Sequence, residues 1–284
     1  MFYSFFIFLG TLTSLVLIYF FFQKQGLKTS VLDWAAPLLF FCGIVGARLG
    51  EIFYSSQVVS LSTFWKFFLT DFLTEGGWKG LSIFGGLIFG SLIGWLIFWH
   101  ESRKTKTSLW IYADCIFPSL FLAQAIGRWG NYFNAEILGP EIKTNFFINL
   151  LTFIFGKKLR YWGESEDIVR HPLFFYESIF YFLSWIFIVF IFPKMFNKDE
   201  KDTVPGVKTG LYFYFLGFFR LTIDFLRPDS FLSFFSVSNY QKTHFSLCIS
   251  LVTIYIGILV IIYLQENFNQ KNQIGNQPIN IKKI

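Results

Sequence analysis

The sequence predicts an all-α integral membrane protein with seven transmembrane helices. Three observations carry that expectation: seven apolar stretches of spanning length, too little charge for a water-facing shell, and basic residues that alternate between successive connections. Apolar residues make up 54% of the 284, and 15% are charged, whereas soluble domains carry roughly 25% charge. Such a chain cannot cover itself with polar groups, and hydrocarbon is the solvent that accepts the excess.

The stretches lie near 4–22, 30–47, 82–99, 108–126, 173–192, 209–226 and 245–264. Each approaches the roughly 20 residues that a helix needs to cross hydrocarbon. The first has no basic residue before it and no small-residue cleavage site after it, so it reads as a retained helix and not a signal peptide. Orientation follows from Lys and Arg in the short connections. Lys24 and Lys28, then Arg103, Lys104 and Lys106, then Lys194, Lys198, Lys201 and Lys208, then Lys271, Lys282 and Lys283 fall in alternate segments. The short connections on the other side hold only Arg48, Lys66, Lys79, Arg227 and Lys242. The amino terminus is therefore expected outside and the carboxyl terminus in the cytoplasm.

On this reading residues 1–265 form the transmembrane domain, with an external insertion at about 137–172, and 266–284 form a disordered cytoplasmic tail. Residues 62–74, STFWKFFLTDFLT, mix aromatic and charged side chains and read as an interfacial arm. Gly86, Gly90 and Gly94 recur every four residues and make a flat stripe suited to close helix packing. Cys42, Cys115 and Cys248 lie far apart in apolar runs and suggest neither a disulfide framework nor a metal cage. The net charge of +6 is scattered over short loops, so topology explains it and a nucleic-acid partner is not expected.

Charge inside hydrocarbon costs about 2.5–3.5 kcal/mol on insertion scales, so each charged residue there needs a reason. With the topology applied, the polar residues fall at one level. Arg48 and Glu51 end span two; Gln124, Arg128 and Asn131 end span four. His171, Tyr176 and Glu177 open span five, and Arg220, Asp224 and Arg227 close span six. Gln124, Arg128, Asn131 and Ala135 follow i, i+4, i+7, i+11, one helical face. Guanidinium forks suit phosphate through bidentate, charge-assisted bonds. A basic cavity open to the outer leaflet would fit a phospholipid. The bland alternative is internal neutralisation: Arg220 with Asp224, and Arg128 with Glu136 or Glu177.

The run Gly127-Arg128-Trp129-Gly130-Asn131-Tyr132-Phe133-Asn134-Ala135-Glu136-Ile137-Leu138-Gly139 resembles the signature of the prolipoprotein diacylglyceryl transferase family, Gly-Arg-x-Gly-Asn-Phe-x-Asn-x-Glu-x-x-Gly. Supporting blocks follow in the family's order: Gly46 to Gly50, Gly85-Gly86, Arg170-His171-Pro172 with Tyr176-Glu177, and Phe219-Arg220 through Asp224 to Arg227-Pro228-Asp229. Tyr3 stands where the family keeps a tyrosine. The resemblance covers nearly the whole chain. It implies a multi-pass protein of the bacterial cytoplasmic (inner) membrane that moves the diacylglyceryl group of phosphatidylglycerol to the lipobox cysteine of lipoprotein precursors. Glycerol phosphate leaves, and no cofactor or metal is needed. Its partners would be phosphatidylglycerol, those precursors and the surrounding membrane lipids. Arg128, Arg220, Glu136 and His171 form the expected catalytic set. Arg128, Asn131, Asn134, Gly139, Tyr3, Arg48, Glu177, Asp224 and Arg227 form the expected substrate-binding set.

Besides Tyr132, which stands for the phenylalanine of the signature, the chain departs from the family at three places. Phe84 stands where a histidine precedes the Gly-Gly of span three, Leu216 replaces a tyrosine four residues before Arg220, and Leu173-Phe174 replace a polar pair. Phenylalanine cannot move a proton. His171, His244 and Glu136 are then the alternatives for that task, and His100 lies on the inner side. His171 has a rival role in capping span five beside Pro172. A second reading is a relative that binds phospholipid or precursor without catalysis. A transporter is disfavoured, because the charges gather at one face and line no path across the membrane.

Overall fold

The computed structural model describes residues 2–55, 83–155, 159–195, 204–224, 226 and 250–263. The expected arm at 62–74, Arg227, His244, Cys248 and the tail from Glu266 lie outside the described residues. So do the side chains of Glu51, Phe84 and Asp224. Among the described residues the regular structure is helical, apart from one isolated bridge between Glu141 and Arg170. The helices are α1 (Phe2–Lys24), α2 (Ser30–Ser55), α3 (Ile83–Thr105), α4 (Leu109–Phe133), α5 (Asn145–Phe155), α6 (Leu173–Met195), α7 (Val207–Asp224) and α8 (Ser250–Tyr263). Four of them are long and apolar enough to cross a membrane: Phe2–Lys24, Ser30–Gly50, Leu109–Phe133 and Leu173–Met195. Their outward faces carry bare phenylalanine and leucine, the build of an integral membrane protein.

The chain divides into two compact units, 22–109 and 1–21 with 110–284. In the first, α2 and α3 run antiparallel with their backbones in contact. A Cβ on Gly85 would overlap the Gly46 carbonyl oxygen. Further along, Gly86 faces Ala47 and the Gly43 carbonyl, Gly90 faces Gly43, and Gly94 faces Leu39. The tight approach is thus at Gly46, Gly85 and Gly86, while Gly90 and Gly94 continue the same seam at ordinary contact distance.

In the second unit α4 is the hub. The amino-terminal part of α1 runs antiparallel along it, with Gly10 against Ala123, Ile7 against Gly127 and Tyr3 against Gly130. On another side the Ser178 hydroxyl of α6 donates to the Ala125 carbonyl at 2.8 Å, and Phe121 stacks on Tyr181 with centroids 5.6 Å apart. Asp114, a residue that the sequence pattern does not single out, ties down α7. Its carboxylate accepts from the Gly206 amide at 2.6 Å, the Thr209 amide at 2.8 Å and the Thr209 hydroxyl at 2.7 Å. A helix start leaves such donors unsatisfied, and a carboxylate also meets the positive end of the dipole. Phe180 lies flat on Phe219 at 4.0 Å to join α6 to α7. Gly217 and Gly257 let α8 approach the α7 backbone where a side chain would collide.

The stretch between α4 and α6, expected as an insertion at about 137–172, has structure of its own. It contains α5 and a small core of Leu138, Ile142, Leu151, Phe155, Leu159 and Phe174. Leu173 and Phe174, two of the departures from the family pattern, are fully buried. Phe174 lies in that core, and Leu173 packs against α4 and α7 residues.

Candidate functional site

The site is built where α4, α6, α7 and the start of α1 come together. Arg128 and Glu177 form an ion pair, with Arg128 Nε set against Glu177 Oε2. The Glu177 side chain is 1% exposed and that of Arg128 25%. This decides between the two partners that the sequence offers Arg128. The guanidinium also stands over the Tyr181 ring, 5.9 Å from its centroid. The Tyr181 phenol lies within hydrogen-bonding reach of Arg128 and within electrostatic range of Arg220. Tyr3 lies within electrostatic range of Arg128 as well, because Gly130 allows the first turn of α1 to close on α4. A Cβ on Gly130 would stand 3.0 Å from the Tyr3 ring. Arg128 thus contacts this phenol, and Arg220 acts on it electrostatically.

Glu136 belongs to a neighbouring clamp. Asn131 Nδ2 donates to its Oε2 at 3.1 Å and Asn134 Nδ2 to its Oε1 at 3.3 Å. The signature's spacing suggests a continuous helical face through Ala135. The structure corrects this: α4 ends at Phe133, and Ala135 and Ile137 take left-handed backbone with φ of 52° and 56°. Such residues cost about 1–3 kcal/mol each and persist only where surrounding bonds hold them. Here the Glu136 amide donates to the Asn131 carbonyl at 2.9 Å, and the Phe174 amide donates to the Ile137 carbonyl at 3.1 Å. The reversal folds the Glu136 carboxylate back onto Asn131, which a straight helix would not do. Trp162 Nε1 donates to the Asn134 carbonyl at 2.9 Å and closes the turn from outside.

A family model described as prolipoprotein diacylglyceryl transferase matches residues 1–263. The chain belongs to the prolipoprotein diacylglyceryl transferase family. It is 30% identical to the phosphatidylglycerol–prolipoprotein diacylglyceryl transferase of Streptococcus pneumoniae (strain JJA) over 85% of this chain and 80% of the relative. It is 32% identical to the protein of that name from Enterococcus faecalis (strain ATCC 700802 / V583) over 84% and 75%. The Prochlorococcus marinus (strain NATL1A) protein is 32% identical over 73% and 67%.

Within this diacylglyceryl transferase family fold, the remaining expected residues fall into distinct places. Gln124 Nε2 donates to the Tyr212 hydroxyl at 3.1 Å, about a turn deeper than Arg128. Gly139 acts through its backbone: its amide donates to the His171 carbonyl at 2.8 Å, and its carbonyl accepts from Arg170 at 3.3 Å. A Cβ there would press on His171 and Leu173. Arg170 also chelates Glu164 at 2.5–3.1 Å and covers the Tyr161 ring. That pairing draws Glu164 below the usual carboxylate range. Leu216 packs in the apolar cluster around Phe121, Tyr212 and Phe219. Arg48 belongs to the other unit, buried on α2. Asp224 closes α7.

His171 does not cap α6 with its side chain. The helix starts at Pro172 without a side-chain cap, and the His171 ring instead meets the Tyr176 hydroxyl at 3.2 Å through Nδ1. Burial lowers the His171 pKa below the ordinary 6.5. The neutral ring is thus favoured in the fold, so its contribution is full above 6.5 and shrinks as the pH drops toward the folded midpoint. Imidazole carbon shifts, assigned by loss of the signal in His171→Gln, should titrate below 6.5. A midpoint at or above that value would contradict the buried placement.

Proposed function

We propose that this chain transfers the diacylglyceryl group of phosphatidylglycerol to the lipobox cysteine of lipoprotein precursors, from seven membrane spans with the amino terminus outside, in a bacterial cytoplasmic membrane. Support for the span count comes from α3, α7 and α8, which coincide with the three further apolar stretches, and from the alternating basic connections. Support for the chemistry comes from one observation above all: Arg128 stands over the Tyr181 ring, and Arg220 lies within electrostatic range of the same phenol.

In this reading the cysteine sulfur attacks the glyceryl carbon that bears the phosphate ester. The C–S bond forms, the C–O bond breaks, and glycerol phosphate carries away the electron pair. Charge grows on the departing phosphate oxygens, and preorganised cations in a site screened from water stabilise it most effectively. A guanidinium carries five N–H donors, more than its contacts with Glu177 and Tyr181 use, so Arg128 keeps donors for phosphate. The Asn131–Glu136–Asn134 clamp fixes the turn beside it. The thiol proton must go to a base; His171, Glu136 and His244 are the candidates, and Phe84 cannot serve.

Purified protein in phosphatidylglycerol vesicles should convert a lipobox peptide to a product heavier by one diacylglyceryl group, read by mass spectrometry. A second reading, lipid or precursor binding without transfer, is favoured by Phe84 and by Leu216 in its apolar cluster. The two separate in a strain depleted of its own transferase. Rescue by the wild-type chain supports transfer; failure of the wild type with rescue by Phe84→His supports binding alone.

A further inference from the structure

α5 carries three stripes around its axis. Ile148, Leu151 and Phe155 turn inward onto the core between α4 and α6. Asn149 and Thr152 form a polar edge. Phe146, Phe147, Leu150, Phe153 and Ile154 are exposed, Phe146 by 69% and Phe153 by 89%. At 100° per residue these five fall within an arc of about 120°, a single apolar face. The helix has 11 residues and measures about 16 Å, too short to cross a bilayer.

Its position is fixed by the two turns beside it. The Tyr132 hydroxyl, on the last turn of α4, donates to the Phe155 carbonyl at 2.6 Å. Phe155 also packs against Trp129, Phe174 and Phe175 with centroids 5.0–6.4 Å apart. Those rings belong to the end of α4 and the start of α6, two helices long and apolar enough to cross the membrane. α5 is therefore tethered at the depth where both leave the hydrocarbon. A bare face of five large apolar side chains at that depth matches the acyl boundary of a leaflet, where apolar faces bury by several ångströms. Among the described residues the ion pairs of the segment follow α5 in sequence: Glu164 is taken by Arg170, and Glu166 pairs with Arg160, while Lys143 stands just before the helix.

We propose that α5 is an interfacial helix whose Phe146–Phe153 face lies in the acyl boundary of the membrane. This holds the segment carrying Asn134, Glu136 and Gly139 at headgroup depth. The proposal rests on the membrane reading of α4 and α6 but not on the transfer reaction.

Single-cysteine spin labels in the full chain, with Cys42, Cys115 and Cys248 replaced by alanine, test it in phosphatidylglycerol–phosphatidylcholine vesicles. Labels go at Phe153, at Phe182 on the outer face of α6 as the lipid reference, and at Glu166 (side chain 72% exposed) as the water reference. Oxygen collects in lipid and a nickel chelate stays in water. Relaxation at Phe153 should resemble Phe182, with an oxygen-to-nickel ratio several-fold above that at Glu166. A ratio matching Glu166, with Phe182 still in lipid, overturns the proposal. So does protection from both agents, which would mean that protein covers the face. Nickel access at Phe182 itself would overturn the membrane reading instead.

Discussion

Replacing Arg128 by alanine should lower thioether formation by about 10²–10³-fold, the usual loss when one preorganised donor to a developing oxyanion is removed. Lysine at this position should recover only part of the rate, since it restores charge without the planar fork. Arg220→Ala offers the comparison, because it leaves the Arg128–Glu177 pair intact. The measurement is product mass per unit time from vesicle-embedded protein at matched expression. An Arg128→Ala rate within a few-fold of wild type would end the phosphate-gripping role, whatever the fate of the fold.

The second large effect concerns Glu177. Its carboxylate is 1% exposed and its partner Arg128 25%. Breaking a buried pair by deleting one member costs about 3–5 kcal/mol, whereas replacing both by well-packed apolar groups is often neutral or better. Glu177→Leu should therefore lower the thermal midpoint in detergent substantially. The double variant Arg128→Met/Glu177→Leu should regain most of that loss while remaining without transfer activity. The cycle separates scaffold from chemistry. Equal midpoints for Glu177→Leu and wild type would show that the pair contributes little to holding α4 against α6.

Several of these features can be read from the sequence and others cannot, for physical reasons. Gly86, Gly90 and Gly94 announce their packing because a helical period maps directly onto one face. Arg128 and Asn131 are legible for the same reason, but the period carries no signal for where the helix stops. The left-handed turns at Ala135 and Ile137 occur on residues that give no turn signal, so the fold-back of Glu136 is invisible in advance. Asp114 sits alone in an apolar run, and its partners lie more than 90 residues away. The run Asn145–Phe155 is apolar but for Asn149 and Thr152 after its first residue, so along one edge no polar break separates its packed and bare sides. The choice between Glu136 and Glu177 for Arg128 depends on tertiary geometry alone.

The Asp114 anchor also bears on how the protein tolerates bilayers of different thickness. From that carboxylate to Arg128 is 14 residues of α4, about 21 Å; from Thr209 to Arg220 is 11 residues of α7, about 17 Å. Both cations are thus gauged along their helices from a common footing, the contact of Asp114 with Thr209. In the seven-span reading both helices cross the bilayer, and hydrophobic mismatch is taken up by tilt or by annular lipid. A footing shared by the two helices then lets the positive charges move together when the thickness of the lipid host changes.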